Sequence, residues 1–272
     1  LAVASLHKTL PSLTQTAVLH ASGRLVPLPQ GARQTGIFQS SSPSYLLMAS
    51  MDGCLGLLED QGEALFAAWV RRLADFDGQI QDLRYLRCPG HGKEAGQPLP
   101  GVFAWDPAKI LISTQGSALT GVELKDRLRA DYRIEVEMAL DHYVVAMTGL
   151  GTDDTMPTRL ASALLALDRQ YGPCQEDAPP PAQRHALPPR RCSVEEAAMA
   201  QGGLSFLYDA MGKVSGEYLW AYPPGIPLVT PGEEITVDLV ETVEQLYQAG
   251  VRLIGTRGKP PITIFALGDQ DG

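Results

Sequence analysis

The sequence lacks several features that would mark other classes of protein. No apolar run reaches the about 20 residues that a membrane-spanning helix needs. The four cysteines form no C-x-x-C pair, and the five histidines show no H-E-x-x-H or comparable ligand spacing, so we expect reduced thiols and no metal site. Acidic residues outnumber basic ones, since the sequence has 31 Asp and Glu and 22 Lys and Arg. The resulting net charge of -9 argues against a nucleic acid or an anionic membrane as the main partner.

The remaining composition is that of an ordinary soluble protein with room for more than one domain. The chain has 272 residues, of which 44% are hydrophobic and 19% are charged. Leu1 follows no basic region, so the start does not resemble a signal peptide, and we expect a cytoplasmic protein. Because Leu1 is not an initiator methionine, we also expect the sequence to be a processed or truncated piece of a longer protein.

A lysine near the start is the first candidate for chemistry. The tetrapeptide Ser5-Leu6-His7-Lys8 follows a short apolar run and precedes a polar turn. This pattern predicts a buried strand with Lys8 just past its carboxyl end, where α/β sheets bind ligands. Partial desolvation there would favour the free amine, a nucleophile toward carbonyl compounds such as pyridoxal phosphate. His7 would supply an acid–base group and Ser5 a hydroxyl for a phosphate oxygen. On these residues alone, a surface lysine beside a capping serine is the alternative.

A hydroxyl-rich loop at residues 39–43 is the second candidate. It precedes a helix that we expect to start near Ser44. Unpaired backbone N–H groups and the helix dipole at such a place favour a phosphate, and Ser40 and Ser42 are the candidate contacts. An ordinary helix cap is the alternative interpretation.

Three segments in order resemble the ornithine/lysine/arginine decarboxylases, a family of fold-type-I, aspartate-aminotransferase-like pyridoxal-phosphate enzymes. SLHKTLPSLTQTAVLH, at residues 5–20, resembles the cofactor-lysine segment of that family. QSSSPSY at 39–45 is similar to its T-S-T-S-P-x-Y stretch, and YPPGIPL at 222–228 to its Y-P-P-G-[IV]-P-L stretch.

The resemblance implies roles for particular residues. Lys8 would be the covalent anchor of pyridoxal 5'-phosphate and a catalytic acid, and His7 would pack against the cofactor and assist proton transfer. Ser5 would contact the cofactor phosphate. Ser40 and Ser42 would reach the phosphate of the partner subunit, in a homodimer or higher homo-oligomer with a shared active site.

The family resemblance, combined with the residue pattern, predicts an α/β protein in several parts. Residues 1–88 would be the end of the cofactor-binding large domain with its connecting helices, and 89–172 an α+β small domain. A Pro-rich linker at 173–191 would lead to a C-terminal α+β domain at 192–272.

Individual elements follow from hydrophobic spacing and from capping and turn residues. Glycines at 53, 56 and 62 should divide a helical stretch into segments at 45–58 and 62–83. The small domain should run β-α-β-β-α, with strands at 109–113, 133–137 and 143–147 and helices at 121–129 and 158–167. The glycine-containing stretches at 149–154 and 255–259 are predicted to be turns rather than nucleotide-binding loops. Glu233 and Glu234 should lie on a solvated face, the alternative being that they steer a cationic substrate.

The expected function is decarboxylation of arginine, lysine or ornithine to the amine and carbon dioxide, in polyamine metabolism. Two alternatives stay open: another fold-type-I enzyme such as an aminotransferase, and a cofactor-incompetent fragment that acts as a dimerisation module. The family's carboxylate for the pyridine nitrogen and its ring-stacking residue lie upstream of the lysine strand. We therefore expect them before position 1.

Overall fold

The computed structural model describes residues 1–174, 187–222 and 225–268. Most of the predicted linker falls at 175–186, outside the described residues, as do Pro223 and Pro224 of the YPPGIPL segment. The chain forms two compact units. The first contains residues 1–81, 90–110 and 147–162, and the second contains residues 82–89, 111–146 and 163–272. None of the described helices has the length and apolar character that crossing a membrane requires.

The first unit begins with a hairpin formed by β1 (Ala2–Ser5), the one-turn helix α1 (Leu6–Thr9) and β2 (Ala17–His20). The two strands pair antiparallel, with Ala2 opposite His20 and Ser5 opposite Ala17. All four residues of β1 are exposed, so the prediction of a buried strand in an α/β sheet is wrong for this part of the chain. A strand becomes buried only when other elements cover its faces, and apolar composition by itself does not provide that cover.

Two helices follow, α2 (Leu28–Phe38) and α3 (Tyr45–Gln79). The predicted start of α3 is confirmed, because Ser44 is its N-cap and its hydroxyl accepts a hydrogen bond from the Leu47 N–H. The predicted interruption is wrong, since α3 runs for 35 residues through all three glycines. An internal glycine costs about 1 kcal/mol relative to alanine. The packing of buried residues such as Leu73 and Phe76 along the same helix offsets that cost.

The next elements are β3 (Lys109–Ser113), α4 (Gly121–Tyr132), β4 (Met138–Leu140), β5 (Tyr143–Met147) and α5 (Met156–Tyr171). They follow the predicted β-α-β-β-α order, and the strands form a sheet in the order β3-β5-β4. Thr120 caps α4 with a reciprocal hydrogen bond to Glu123. The predicted strand at 133–137 is wrong, because Arg133 has a left-handed backbone with φ of 54° that ends α4, and the strand β4 begins only at Met138.

The rest of the second unit contains α6 (Val194–Met199), β6 (Gly202–Phe206), β7 (Leu219–Tyr222), β8 (Ile226–Val229), α7 (Val237–Gln248), β9 (Arg252–Gly255) and β10 (Thr263–Leu267). One antiparallel sheet has the order β8-β7-β9, and β6 pairs with β10. Buried side chains from these elements form one core: Leu207, Ala210, Leu219, Val229, Ile235, Leu239, Val240, Val243, Ile264 and Ala266.

The predicted turn at 255–259 is confirmed as a surface turn, and its backbone encloses a buried carboxylate. Glu217 is 2% exposed and accepts hydrogen bonds from the backbone N–H groups of Arg257 at 2.6 Å and Gly258 at 2.9 Å. The N–H of Phe265 also donates to it. A carboxylate that satisfies several backbone donors joins this turn to β10.

The prediction that Glu233 and Glu234 lie on a solvated face is wrong. Both are partly buried and form ion pairs with neighbouring arginines, Glu233 with Arg190 at 3.0 Å and Glu234 with Arg191 at 2.8 Å. Glu233 also accepts the N–H of Thr230 at 2.7 Å. These contacts hold residues 190–191 against the turn before α7.

Candidate functional site

Lys8 lies on α1, the single helical turn that directly follows β1, as the sequence predicts. The turn closes through a hydrogen bond of 3.0 Å from the Leu10 N–H to the Leu6 carbonyl. Leu6 is buried, while Lys8 is exposed. The expected partial desolvation of Lys8 is therefore not found within the described residues, where β1 is exposed as well.

His7 is partly buried and has a fixed orientation. Its Nδ1 lies 3.1 Å from the backbone carbonyl oxygen of Thr16. Because a carbonyl oxygen only accepts, Nδ1 must carry the hydrogen, and in the neutral ring Nε2 then holds the lone pair. The same carbonyl accepts the N–H of Leu6 at 3.1 Å. The Thr16 carbonyl thus fixes the orientation of the His7 ring.

Thr16 connects the lysine turn to α3. Thr16 is 2% exposed, and its hydroxyl lies 2.7 Å from the carbonyl oxygen of Leu13 and 2.8 Å from the Ser12 hydroxyl. Ser50 of α3 completes this network, since its hydroxyl accepts the N–H of Leu13 at 2.8 Å and lies 3.2 Å from the Ser12 hydroxyl. A connected set of hydrogen bonds around the buried Thr16 restricts the arrangement of the turn.

The remaining predicted residues lie in two places. Ser5 is the last residue of β1 and the N-cap of α1, yet its side chain makes no capping hydrogen bond, so the hydroxyl is not used to cap the helix. Ser40 and Ser42 lie in the exposed loop before α3, where the N–H of Ser42 donates to the Ser40 hydroxyl at 3.1 Å. Ser5, His7 and Lys8 thus form one group, and the two loop serines form another on a separate element. The roles of all five residues stay predictions.

Sequence reasoning missed the residues that hold the lysine turn in place. Thr16 lies in the segment 5–20 and Ser50 in the helical segment predicted at 45–58, and neither pattern indicates that the two elements are connected. Residues 149–150, which also contact the turn, belong to the stretch 149–154, for which the sequence predicts only a local turn. The one sequence signal that could have found them is the pair of glycines at 149 and 151, because glycine permits a close backbone approach. Within the described residues no group of three or more His, Cys, Asp or Glu could hold a metal ion.

Two models of one protein family match parts of this chain. The model of the Orn/Lys/Arg decarboxylase major domain matches residues 1–90, which include the lysine turn and the serine loop. The model of the Orn/Lys/Arg decarboxylase C-terminal domain matches residues 182–250. Both matches occur in the order that the sequence segments suggested. The chain belongs to the Orn/Lys/Arg decarboxylase family.

Similar proteins include arginine decarboxylases of several bacteria. The arginine decarboxylase of Bacillus anthracis is 28% identical over 259 residues, which are 94% of this chain and 51% of that protein. The arginine decarboxylase of Bacillus subtilis is 26% identical over 261 residues, 94% of this chain and 52% of that protein. The chain thus spans about half the length of these curated relatives.

Solved structures of two lysine decarboxylases show the fold. The constitutive lysine decarboxylase of E. coli superposes with a TM-score of 0.74 at 19% identity, over 98% of this chain and 49% of that chain. The lysine decarboxylase of Francisella novicida gives a TM-score of 0.72 at 18% identity, over 98% of this chain and 48% of that chain. The predicted mixed α/β fold of this enzyme group is therefore confirmed.

Proposed function

We propose that this protein is a pyridoxal 5'-phosphate-dependent decarboxylase that converts a basic amino acid, arginine, lysine or ornithine, into its amine and carbon dioxide. The amine would enter polyamine metabolism. The observation that carries this proposal is the exposed Lys8 on a turn directly after a strand, within the segment that matches the family's major domain. Family membership supports the reaction class, and the names of the relatives support a basic substrate.

The residues at the lysine turn fit the cofactor chemically. Lys8 offers an exposed primary amine for covalent attachment, and Ser5 offers a hydroxyl that is not used for capping. His7 lies next to Lys8 in sequence and is held by the Thr16 carbonyl. When bound, pyridoxal phosphate supplies a protonated ring that withdraws electrons and allows a carboxylate to leave as carbon dioxide.

The roles of the chain's own residues follow from this arrangement. Lys8 would hold the cofactor through its amine, and the same nitrogen would hold a proton for the carbon that loses the carboxylate. His7, with its lone pair on Nε2, can accept or relay a proton at the cofactor's face. Ser5 contributes a hydrogen bond to a phosphate oxygen.

The test is a parallel assay of carbon dioxide release by the full-length protein from arginine, lysine and ornithine. Lys8→Ala should lower kcat by about 1000-fold or more, because it removes both the anchor and the proton donor. Lys93→Ala is the matched control, since Lys93 is also exposed and lies elsewhere in the same unit. Keto-acid formation without carbon dioxide would instead identify an aminotransferase. Activity of Lys8→Ala near that of the unmodified protein would reject the site.

We further propose that the active site is shared between two subunits of a homodimer, with Ser40 and Ser42 binding the cofactor phosphate held by the partner. Both serines are exposed in a loop before a long helix, which supports this role. A double variant, Ser40→Ala with Ser42→Ala, should bind the cofactor weakly. If it is mixed with Lys8→Ala, hybrid dimers should regain activity, because one of their two sites then contains the native lysine and the native serines. Absence of any recovery in dimers shown to have exchanged subunits would contradict a shared site.

A further inference from the structure

The turn that carries Lys8 rests on a second loop, formed by residues 148–150 at the end of β5. The N–H of Leu150 donates a hydrogen bond of 3.0 Å to the carbonyl of Thr9, the residue that follows Lys8. The contact joins two backbones, so it constrains the path of the chain beside Lys8 rather than the rotamer of one side chain. This loop and the Thr16 network both hold the turn through hydrogen bonds.

Thr148 fixes the loop in place. Its N–H donates to the carbonyl of Ala108 at 3.0 Å, and its hydroxyl lies 3.2 Å from the same oxygen. The indole N–H of Trp69 in α3 donates to the Thr148 hydroxyl at 2.8 Å. Thr148 is buried, so these bonds are shielded from water and costly to break. The loop is therefore a rigid support for the turn.

Gly149 lies where the two backbones approach most closely. A Cβ atom at this position would lie 2.8 Å from the Thr9 carbonyl oxygen and 3.1 Å from the Thr9 Cα. Both of these are backbone atoms, which cannot rotate away as a flexible side chain can. Gly151, two residues further along the same loop, has no heavy atom within 4 Å of the corresponding position. The two glycines thus differ in the one property that matters here, contact with the lysine turn.

We propose that Gly149 is a positioning residue for Lys8. Gly149 acts through the Thr9 backbone: because it has no side chain, the turn can approach the loop closely enough for the Leu150 N–H to bond to the Thr9 carbonyl. This inference rests on the proposed function, because it assigns Gly149 a role in placing the lysine of that reaction. A shift of the turn by about 1 Å would move the amine out of line with the reacting atoms, and misplacement of that size costs about 100-fold in rate.

Gly149→Ala and Gly151→Ala in the cofactor-loaded protein test the inference. Gly149→Ala should lower kcat about 100-fold with KM nearly unchanged. It should also shift the pH dependence of the bound cofactor's visible absorbance and speed hydrogen exchange at the Leu150 amide. Gly151→Ala should leave all of these as they are. If Gly149→Ala and Gly151→Ala gave the same kcat, absorbance and exchange, the inference would be overturned.

A second pair of variants keeps the test decisive if Gly149→Ala does not fold. Thr148→Val removes the hydroxyl that receives the Trp69 N–H, and Thr148→Ser restores it with little change in size. The first should lower kcat and shift the absorbance profile, and the second should recover both. Recovery of neither by Thr148→Ser would count against the loop as a support for Lys8. If the full-length protein without substitutions lacked decarboxylase activity, the proposed function would be rejected, while the exchange contrast between the two glycine variants would still test the contact.

Discussion

The lysine hairpin of β1 and β2 and the β8-β7-β9 sheet of the second unit are both antiparallel, yet they are stabilised in different ways. In the hairpin Val3 is 75% exposed, and polar contacts of Thr16 and Ser50 hold the turn. In the second unit Leu219 of β7 is 1% exposed within an apolar core. The first region is held at its turn and leaves its strand faces uncovered, whereas the second is held through its faces. A lysine that must react with a ligand requires the first arrangement, because a core side chain cannot reach one.

Glu217→Ala should have the largest effect, about 4 kcal/mol lower free energy of unfolding for the second unit. The substitution removes a buried carboxylate and leaves the N–H groups of Arg257, Gly258 and Phe265 without their acceptor. Hydrogen exchange of peptides within 202–268 at increasing urea measures this unit by itself. Glu241→Ala, at an exposed position of α7, is the control and should change the free energy by less than about 0.5 kcal/mol. Equal effects of the two variants would show that the buried carboxylate is not stabilising.

Leu219→Ala should have the second largest effect and lower the free energy of unfolding of the second unit by about 3 kcal/mol. It removes a buried side chain from the centre of the core, so a cavity adds to the lost transfer free energy. The same exchange measurement on 202–268 applies. A loss below about 1 kcal/mol would mean that the core collapses around the site.

Thr16→Val should cost about 1 to 2 kcal/mol in the local stability of the lysine turn. Valine keeps the shape but removes the hydroxyl that contacts Leu13 and Ser12. Faster exchange of the Leu6 and Leu13 amides, with 202–268 unaffected, is the expected result. Thr16→Ser keeps the hydroxyl and should restore slow exchange. If Thr16→Val left both amides protected, the turn would not depend on this network.

Val3→Ala should have the smallest effect, within about 0.5 kcal/mol, because little apolar surface of Val3 is buried in this chain. Val3→Ala is the exposed counterpart of Leu219→Ala, since both residues lie on antiparallel strands. A loss above about 2 kcal/mol, measured by urea unfolding, would show that β1 is covered in solution.

Much of the fold could be predicted from local patterns. The helix starts predicted near Ser44 and at residue 121 are confirmed, because each depends on a capping hydroxyl that accepts a backbone N–H, which is a local interaction. The strands at 109–113 and 143–147 were also predicted at the bounds observed. Two predictions are wrong where local propensity does not decide the structure. The helix α3 runs through its glycines, and the left-handed Arg133 ends α4, so that β4 begins at Met138 rather than at residue 133.

The sequence by itself determined the family, the lysine turn and the order of the elements, because each depends on residues that are neighbours along the chain. The tertiary structure alone decided that β1 is exposed and that Thr16 orients His7. It also decided that Gly149 lies beneath the lysine turn. These features join residues far apart in sequence, from Thr9 to Leu150 and from Leu13 to Ser50. Local patterns carry no information on such distances, which are set by how the helices and loops pack.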